Sequence, residues 1–113
     1  MLPVRLLLDA KNNLTAEATR NDATAQALVR FLSADLAGDG RHCQALIDGT
    51  AEVVAGKQKE WQISGNSFGL TIAAKTTELR ELHGKQGAVT VPTDEFVALV
   101  AQWQGLLGRP PVG

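Results

Sequence analysis

The sequence has little cysteine, no long apolar run and no strong excess of either charge, and each shortage excludes a class of protein. Cys43 is the only cysteine among the 113 residues, so no disulfide can form within the chain and a reducing cytoplasm fits best. Eleven Lys and Arg residues against twelve Asp and Glu residues give a formal charge of -1. This balance argues against nonspecific binding to nucleic acid, which requires a basic surface.

The absence of a long apolar run argues against a membrane segment. The short apolar run at the N-terminus is interrupted by Arg5 and ends at Asp9. It also lacks the order of a signal peptide, in which a basic region is followed by an apolar region and then by small residues. We also find no internal repeat, low-complexity segment or domain boundary. With 44% apolar residues, residues 1–108 are predicted to form a single cytoplasmic domain, followed by a frayed tail over 109–113.

Two stretches alternate apolar and polar residues in the way that is typical of half-buried hairpins. The first runs from Val4 to Thr19 around the turn-forming pair Asn12-Asn13. The second joins Trp61–Ile63 to Phe68–Ala74, and its predicted buried face consists of Phe68, Leu70, Ile72 and Ala74. At its turn, Gly65-Asn66 is expected to supply the positive φ angles of a tight hairpin.

Three stretches instead show the three- and four-residue spacing of amphipathic helices. The first begins at an Asn21 or Asp22 cap, and Gly38 is placed to end it. Its apolar stripe comprises Ala25, Leu28, Val29, Leu32 and Leu36, with Phe31 beside them. The second extends from near Asp39 to Ala55, ends at Gly56, and buries Cys43, Leu46, Ile47, Thr50, Val53 and Val54. Gly49 lies inside this helix, where glycine lowers helix stability by about 1 kcal/mol relative to alanine. An unfavourable residue at this position indicates a close contact.

The last part of the chain predicts two more strands and the third helix. In the strand Thr77–His83, Leu79 and Leu82 are three apart, so either a bulge intervenes or one leucine points outward. After a loop over 83–88, a strand at Val89–Val91 ends at Pro92, and Thr93 caps a helix whose apolar residues are Phe96, Leu99, Val100, Trp103, Leu106 and Leu107. The order β-β-α-α-β-β-β-β-α predicts an α+β fold with helices packed on the apolar face of an antiparallel sheet.

No set of residues has the spacing of a catalytic or metal site. His42 and Cys43 adjoin, but neighbours on a helix point about 100° apart, and Cys43 lies on the apolar stripe. His83 is the only other histidine, and the three residues show no metal-ligand spacing. The glycines around Asn66 precede no helix, so they do not form a phosphate cradle. We therefore expect no enzyme activity, no metal and no cofactor.

Four acidic residues on the two middle helices form the one candidate binding set: Asp35, Asp39, Asp48 and Glu52. Asp48 and Glu52 are four residues apart and therefore share a helix face. One interpretation is an ordinary solvated helix surface. The other is an acidic patch that docks a basic protein partner.

A series of motifs along nearly the whole chain resembles a known family. It comprises V-R-L-L-L-D-A-x-x-N-L at the N-terminus, V-x-x-G before the tryptophan stretch, W-x-x-x-G-N-x-F-x-L-x-I from Trp61 to Ile72, and a closing helix with Phe96, Trp103 and Leu107. Together they resemble a YacL-like bacterial family of small cytoplasmic proteins that includes immunity proteins of contact-dependent growth inhibition systems. Family members tend to be more acidic at the loop over 83–88, where this chain carries Lys85 and no acid.

The resemblance implies a protein that binds a cognate toxin domain, often a nuclease, and blocks its action stoichiometrically. The implied partner is a protein, with no nucleic acid and no membrane, and acidic groups such as the four above would orient a basic toxin. Two alternatives stay open: a housekeeping or regulatory binding module with another partner, and a small enzyme. A pocket with convergent polar groups would favour the enzyme, and gene order would separate the two binding functions.

Overall fold

Strands and helices follow one another in the predicted order. The computed structural model describes residues 2–9, 11, 13–83 and 87–107. Its elements are β1 (Val4–Leu8), β2 (Leu14–Ala18), α1 (Ala23–Arg30) continued by a π-helical turn (Phe31–Leu36), α2 (Gly40–Val54), β3 (Glu60–Ser64), β4 (Phe68–Ala73), β5 (Thr76–Glu81), β6 (Ala88–Pro92) and α3 (Thr93–Leu107). This order and the α+β class confirm the prediction from the sequence.

The six strands divide into two sheets. β1 and β2 form a hairpin of their own, whereas β3, β4, β5 and β6 pair in that order, every pair being antiparallel. Antiparallel pairing is what the short connections demand, since a parallel pair needs a long crossover. The separation of the hairpin from the larger sheet was not predicted, because alternation identifies a strand without identifying its neighbour.

One hydrophobic core lies between the four-stranded sheet and the helices. Buried side chains of the three helices, the π-helical turn and strands β4, β5 and β6 form this core. They include Leu28, Phe31, Leu36, Leu46, Phe68, Ile72, Leu79, Val91, Phe96 and Trp103. The inner face of the β1–β2 hairpin packs against the same core through Val4, Leu6, Leu14 and Ala16. The helices therefore lie on the apolar face of the sheet, as expected.

The structure of β5 shows which of the two alternatives for Leu79 and Leu82 is correct. The β4–β5 register runs without a bulge from Phe68 opposite Glu81 to Ile72 opposite Thr77. Leu79 is buried, and Leu82, which follows the end of the strand, is 41% exposed. One leucine therefore points outward. Ala74, predicted as part of the buried face of β4, is exposed because the strand ends one residue earlier.

The end of the first helix differs from the prediction. Asp22 is the cap, and its carboxylate accepts a hydrogen bond from the Ala25 amide, but after Arg30 the helix widens into the π-helical turn. Ala37, not Gly38, takes the positive φ of 42° at the end. The wider i→i+5 turn moves that position by one residue, and the Ala37 amide donates to the Leu32 carbonyl at 2.8 Å.

Gly49 is the point at which α2 meets β3, which confirms the close contact predicted there. A Cβ atom added at Gly49 would overlap the ring of Trp61. The face of α2 that meets the sheet therefore requires a residue without a side chain at this position. Gly56 follows the helix with a φ of 84°, so it ends α2 as predicted.

Thr93 is fully buried, and its hydroxyl is not used as the predicted helix cap. It donates to the Ala73 carbonyl at 2.6 Å, and the Thr77 hydroxyl lies 2.8 Å away. Because the Thr93 proton is committed to Ala73, Thr77 is the donor of the second bond. This pair of hydroxyls ties the start of α3 to β4 and β5.

Several predictions fall on residues outside the described part of the chain. They are Asn12 of the first turn, the centre of the loop over 83–88, Gly108 as the end of α3, and the tail over 109–113.

Candidate docking face

The outward side of α2 carries two of the four acidic residues on one exposed face. This α2 face consists of Arg41, Gln44, Ala45, Asp48, Ala51, Glu52 and Ala55. The Gln44 side-chain amide donates to Asp48 Oδ1 at 2.9 Å, and the Gln58 amide donates to Glu52 Oε2 at 3.1 Å. Each carboxylate is thus held at the surface by one oxygen, and a carboxylate has a second oxygen to offer a partner.

Asp39 directly precedes α2 and caps its N-terminal end, outside the α2 face. Its Oδ1 accepts hydrogen bonds from the Arg41 and His42 amides, both at 3.1 Å. A carboxylate in this position satisfies free amides of the first turn and interacts favourably with the helix dipole. Asp39 is exposed, so its carboxylate reaches the surface as well as capping the helix.

Asp35 is not on an exposed helix face, and this part of the sequence-based expectation is wrong. The side chain is 7% exposed, and its carboxylate accepts from the Ser67 amide at 2.8 Å and the Phe68 amide at 3.0 Å. The π-helical turn directs it into the β3–β4 connection. Asp35 therefore holds a turn of the sheet in place and has no surface to offer a partner.

The same contact explains Gly65, whose predicted positive φ is not observed. The described residues with φ in the left-handed region are Ala37, Gly56 and Gly87. A Cβ on Gly65 would instead come within 2.7 Å of Asp35 Oδ2. The glycine is needed for the close approach of the carboxylate. No local pattern links two positions thirty residues apart, so sequence reasoning missed this pair.

Small side chains separate the acidic groups of the α2 face. Ala45, Ala51 and Ala55 project little, so the carboxylates of Asp48 and Glu52 stand above a smooth surface. Val54 was expected on the buried stripe of this helix, and that expectation is wrong: it lies at the rim of the α2 face and is 59% exposed, the most exposed of the large apolar side chains described. The short alanine side chains leave both carboxylates accessible to a partner of opposite charge.

Cys43 and His42 belong to different environments. Cys43 is fully buried in the core, as its place on the apolar stripe predicted, while His42 is partly exposed. Burial raises the pKa of the Cys43 thiol, and the nearby Asp39 carboxylate raises it further. Since the thiolate is the reactive form, this cysteine is poorly suited to act as a nucleophile.

We predict that a disulfide reagent will label Cys43 in the native protein at least about a hundredfold more slowly than in the denatured chain, because labelling requires opening of the core. The measurement is the release of the reagent's coloured thiol at pH 8, with and without denaturant. Replacement of both His42 and Cys43 by alanine should also leave any binding activity intact. Rapid labelling in the folded state, or loss of function in a stably folded double variant, would contradict this assignment.

One cleft of the described region is lined by several polar side chains. The cleft between the π-helical turn and β4 has a volume of about 250 Å³. Its Arg30 guanidinium donates twice to the Glu81 carboxylate, at 2.9 and 3.0 Å, and Ser33 donates to the Val29 carbonyl. These groups are occupied within the chain, which makes the cleft a poor candidate for substrate binding.

In the described ranges, no three His, Cys, Asp or Glu side chains are grouped so that they could hold a metal ion. None of the helices described there is long and apolar enough to cross a bilayer.

No protein-family model, no curated protein and no solved structure matches this chain.

Proposed function

We propose that this chain is the immunity half of a bacterial toxin–immunity pair and that it acts in the cytoplasm by binding its toxin stoichiometrically. The observation that carries the proposal is the ordered resemblance of motifs from Val4 to Leu107. The implied partner is the C-terminal domain of a contact-dependent growth inhibition toxin. Neither a cofactor nor a catalytic step is part of this mechanism.

The α2 face supplies a docking surface suited to a basic toxin domain. Asp48 and Glu52 lie four residues apart on the α2 face, about 6 Å along the helix axis at 1.5 Å per residue, and Asp39 lies at the N-terminal end of the helix. Complementary charges at this spacing accelerate encounter and fix orientation more than they add affinity. The alanines between them allow close approach, and Val54 at the rim adds an apolar contact.

The molecule is large enough for a tight complex. Protection inside a cell requires nanomolar binding or better, roughly -12 kcal/mol. A standard interface buries about 800 Å² on each partner. The accessible surface here is 6762 Å², so such a patch would take about an eighth of it. The α2 face with its flanking residues can lie at the centre of that patch.

The first experiment is co-expression with the product of the gene directly upstream, the usual position of a toxin gene relative to its immunity gene. We expect growth rescue and a complex that co-purifies in equal stoichiometry. If the upstream product is not toxic, or is neither bound nor neutralised, the proposed function fails.

The second experiment locates the docking surface. The double variant Asp48→Lys with Glu52→Lys should slow association with the toxin about tenfold at low salt, with a smaller effect at high salt. The matched control, Glu60→Lys with Glu78→Lys, makes the same change in net charge on the outward face of the four-stranded sheet. Equal effects of the two variants would mean that binding does not use the α2 face.

A further inference from the structure

The hairpin leaves the outer edge of β1 without a neighbouring strand in the described structure. Asp9 donates its amide to Asn13, and Thr19 donates to Pro3, so the odd-numbered residues of β1 bond to β2. In an antiparallel pair the intervening residues direct their backbone groups away from the partner. The amide and carbonyl groups of Leu6 and Leu8 therefore point to the open edge.

This open edge borders an apolar groove. A groove of about 690 Å³ lies between β1 and the C-terminal half of α3 and is lined by Val4, Arg5, Leu6, Thr19, Gln102, Gly105 and Leu106. An edge strand with free backbone groups is a template for another strand. Here a strand added beside Leu6 would direct its inward side chains over Gly105 and Leu106.

We propose that the occupant is β1 of a second copy of this chain, paired antiparallel about a two-fold axis at Leu7. Several registers keep the open backbone groups facing each other, and those centred on Val4 or Leu8 overlap only one residue of β1. Three registers centred nearer the middle of the strand remain. Arg5 opposite itself brings like charges together, which is unfavourable. Leu6 opposite itself leaves Arg5 opposite Leu7, with no charged partner. Leu7 opposite itself places Arg5 opposite Asp9 twice.

The register centred on Leu7 is also the one that buries apolar surface on both sides of the new sheet. On the outer side, the two Leu7 side chains, each 38% exposed in the monomer, cover one another. On the inner side, Leu8 of the second copy lies opposite Leu6 and fills the groove over Leu106. The contact is isologous, so both grooves are filled at once.

The charged side chains along the open edge of β1 favour this pairing. Arg5 already lies 3.3 Å from Glu17 on its own hairpin, and a guanidinium has further donors for Asp9 of the second copy. Hydrogen bonds from the Asn13 backbone and side-chain amides and from the Lys11 backbone amide lower the pKa of Asp9 and thereby favour its charged form. Exposed pairs of this kind contribute little energy but select the register.

The dimer is independent of the proposed toxin binding. Gln104 of α3 contacts Gln44 of α2, whereas Gln102 and Leu106 lie on the other side of α3, along the groove. The α2 face therefore stays accessible in the dimer, and each copy can engage one toxin domain.

Site-directed cross-linking tests the register directly. Residues in a non-hydrogen-bonded antiparallel pair have Cα atoms about 4.5 Å apart, within the range of a disulfide. Leu7→Cys should therefore form a covalent dimer under mild oxidation. Thr15→Cys is the matched control, because Thr15 lies opposite Leu7 on the same outer face and would be about three strand spacings, or 14 Å, from its copy. The unsubstituted chain, with only buried Cys43, should not cross-link.

Sedimentation measures the association itself. We expect the 12.0 kDa chain to form a dimer that dissociates on dilution. Leu7→Lys should weaken it at least about tenfold, since two ammonium groups then face each other, whereas Thr15→Lys should not. Three results would each overturn the proposal: a monomer at all concentrations up to about 1 mM, no cross-link for Leu7→Cys, or equal cross-linking of Thr15→Cys.

Discussion

Replacement of Trp103 by alanine is expected to lower the free energy of unfolding by about 3–5 kcal/mol. The indole is 2% exposed and belongs to the core between α3, α2 and the sheet. Truncation removes its buried apolar surface and leaves a cavity that the surrounding backbone can close only in part. Urea titration followed by circular dichroism measures the loss, and a value below about 1 kcal/mol would contradict this packing.

A second substitution separates the packing of Trp103 from its hydrogen bond. Its Nε1–H donates to the Ala37 carbonyl at 2.8 Å, next to the positive φ of that residue. Trp103→Phe keeps much of the apolar volume but leaves the carbonyl without this donor, which should cost about 1–3 kcal/mol. We expect Trp103→Ala to lower the free energy of unfolding more than Trp103→Phe does. Equal losses would mean that the hydrogen bond accounts for the whole effect.

Removal of the Asp35 carboxylate is expected to destabilise the protein by about 2–4 kcal/mol, because two amides of the β3–β4 connection lose a charged acceptor. Gly65→Ala alone should cost about 1–3 kcal/mol, since the new Cβ would press on Asp35 Oδ2. In the Asp35→Ala background the same glycine substitution should cost much less, because the two nearest atoms, Asp35 Oδ2 and Cγ, are gone and only the Cβ at 3.5 Å remains.

This double-mutant cycle is the measurement, and a coupling of about 1 kcal/mol or more is the expected outcome. Gly40→Ala is the control, because a Cβ added there meets nothing within 4 Å and its φ lies outside the left-handed region; its effect should stay within about 0.5 kcal/mol. Strictly additive effects of Asp35→Ala and Gly65→Ala would contradict the direct contact between the two residues.

The order of the elements could be predicted because it depends on local periodicity. Val4, Leu6 and Leu8 alternate along a strand, and Phe96, Val100 and Trp103 repeat along a helix, wherever those elements are placed. Caps are local too, and Asp22 and Gly56 were found where short-range hydrogen bonding and backbone freedom require them. The steric need for Gly49 is likewise visible as an unfavourable helix residue, although its partner Trp61 is not.

The candidate site could be predicted only in part. Asp48 and Glu52 share a helix face by spacing alone, and the structure leaves them exposed on that face. Asp35 carries the same carboxyl group and also lies in a helical segment. It is nevertheless buried, because the π-helical turn rotates its side chain toward Ser67 and Phe68. Nothing in the spacing of a single helix distinguishes an acid that meets solvent from one that meets a turn of another element.

The amino-acid sequence on its own therefore determines which segments are strands and helices, which face of each is apolar, and which acids can share a helix side. The tertiary structure decides which segments become neighbours: that β1–β2 stands apart from the larger sheet, that Asp35 holds Gly65–Phe68, and that an open strand edge adjoins α3. The physical reason is the distance along the chain over which each interaction acts. Side-chain periodicity and capping act within a few residues, whereas contacts across 30 or more residues depend on how apolar faces of similar composition pack together.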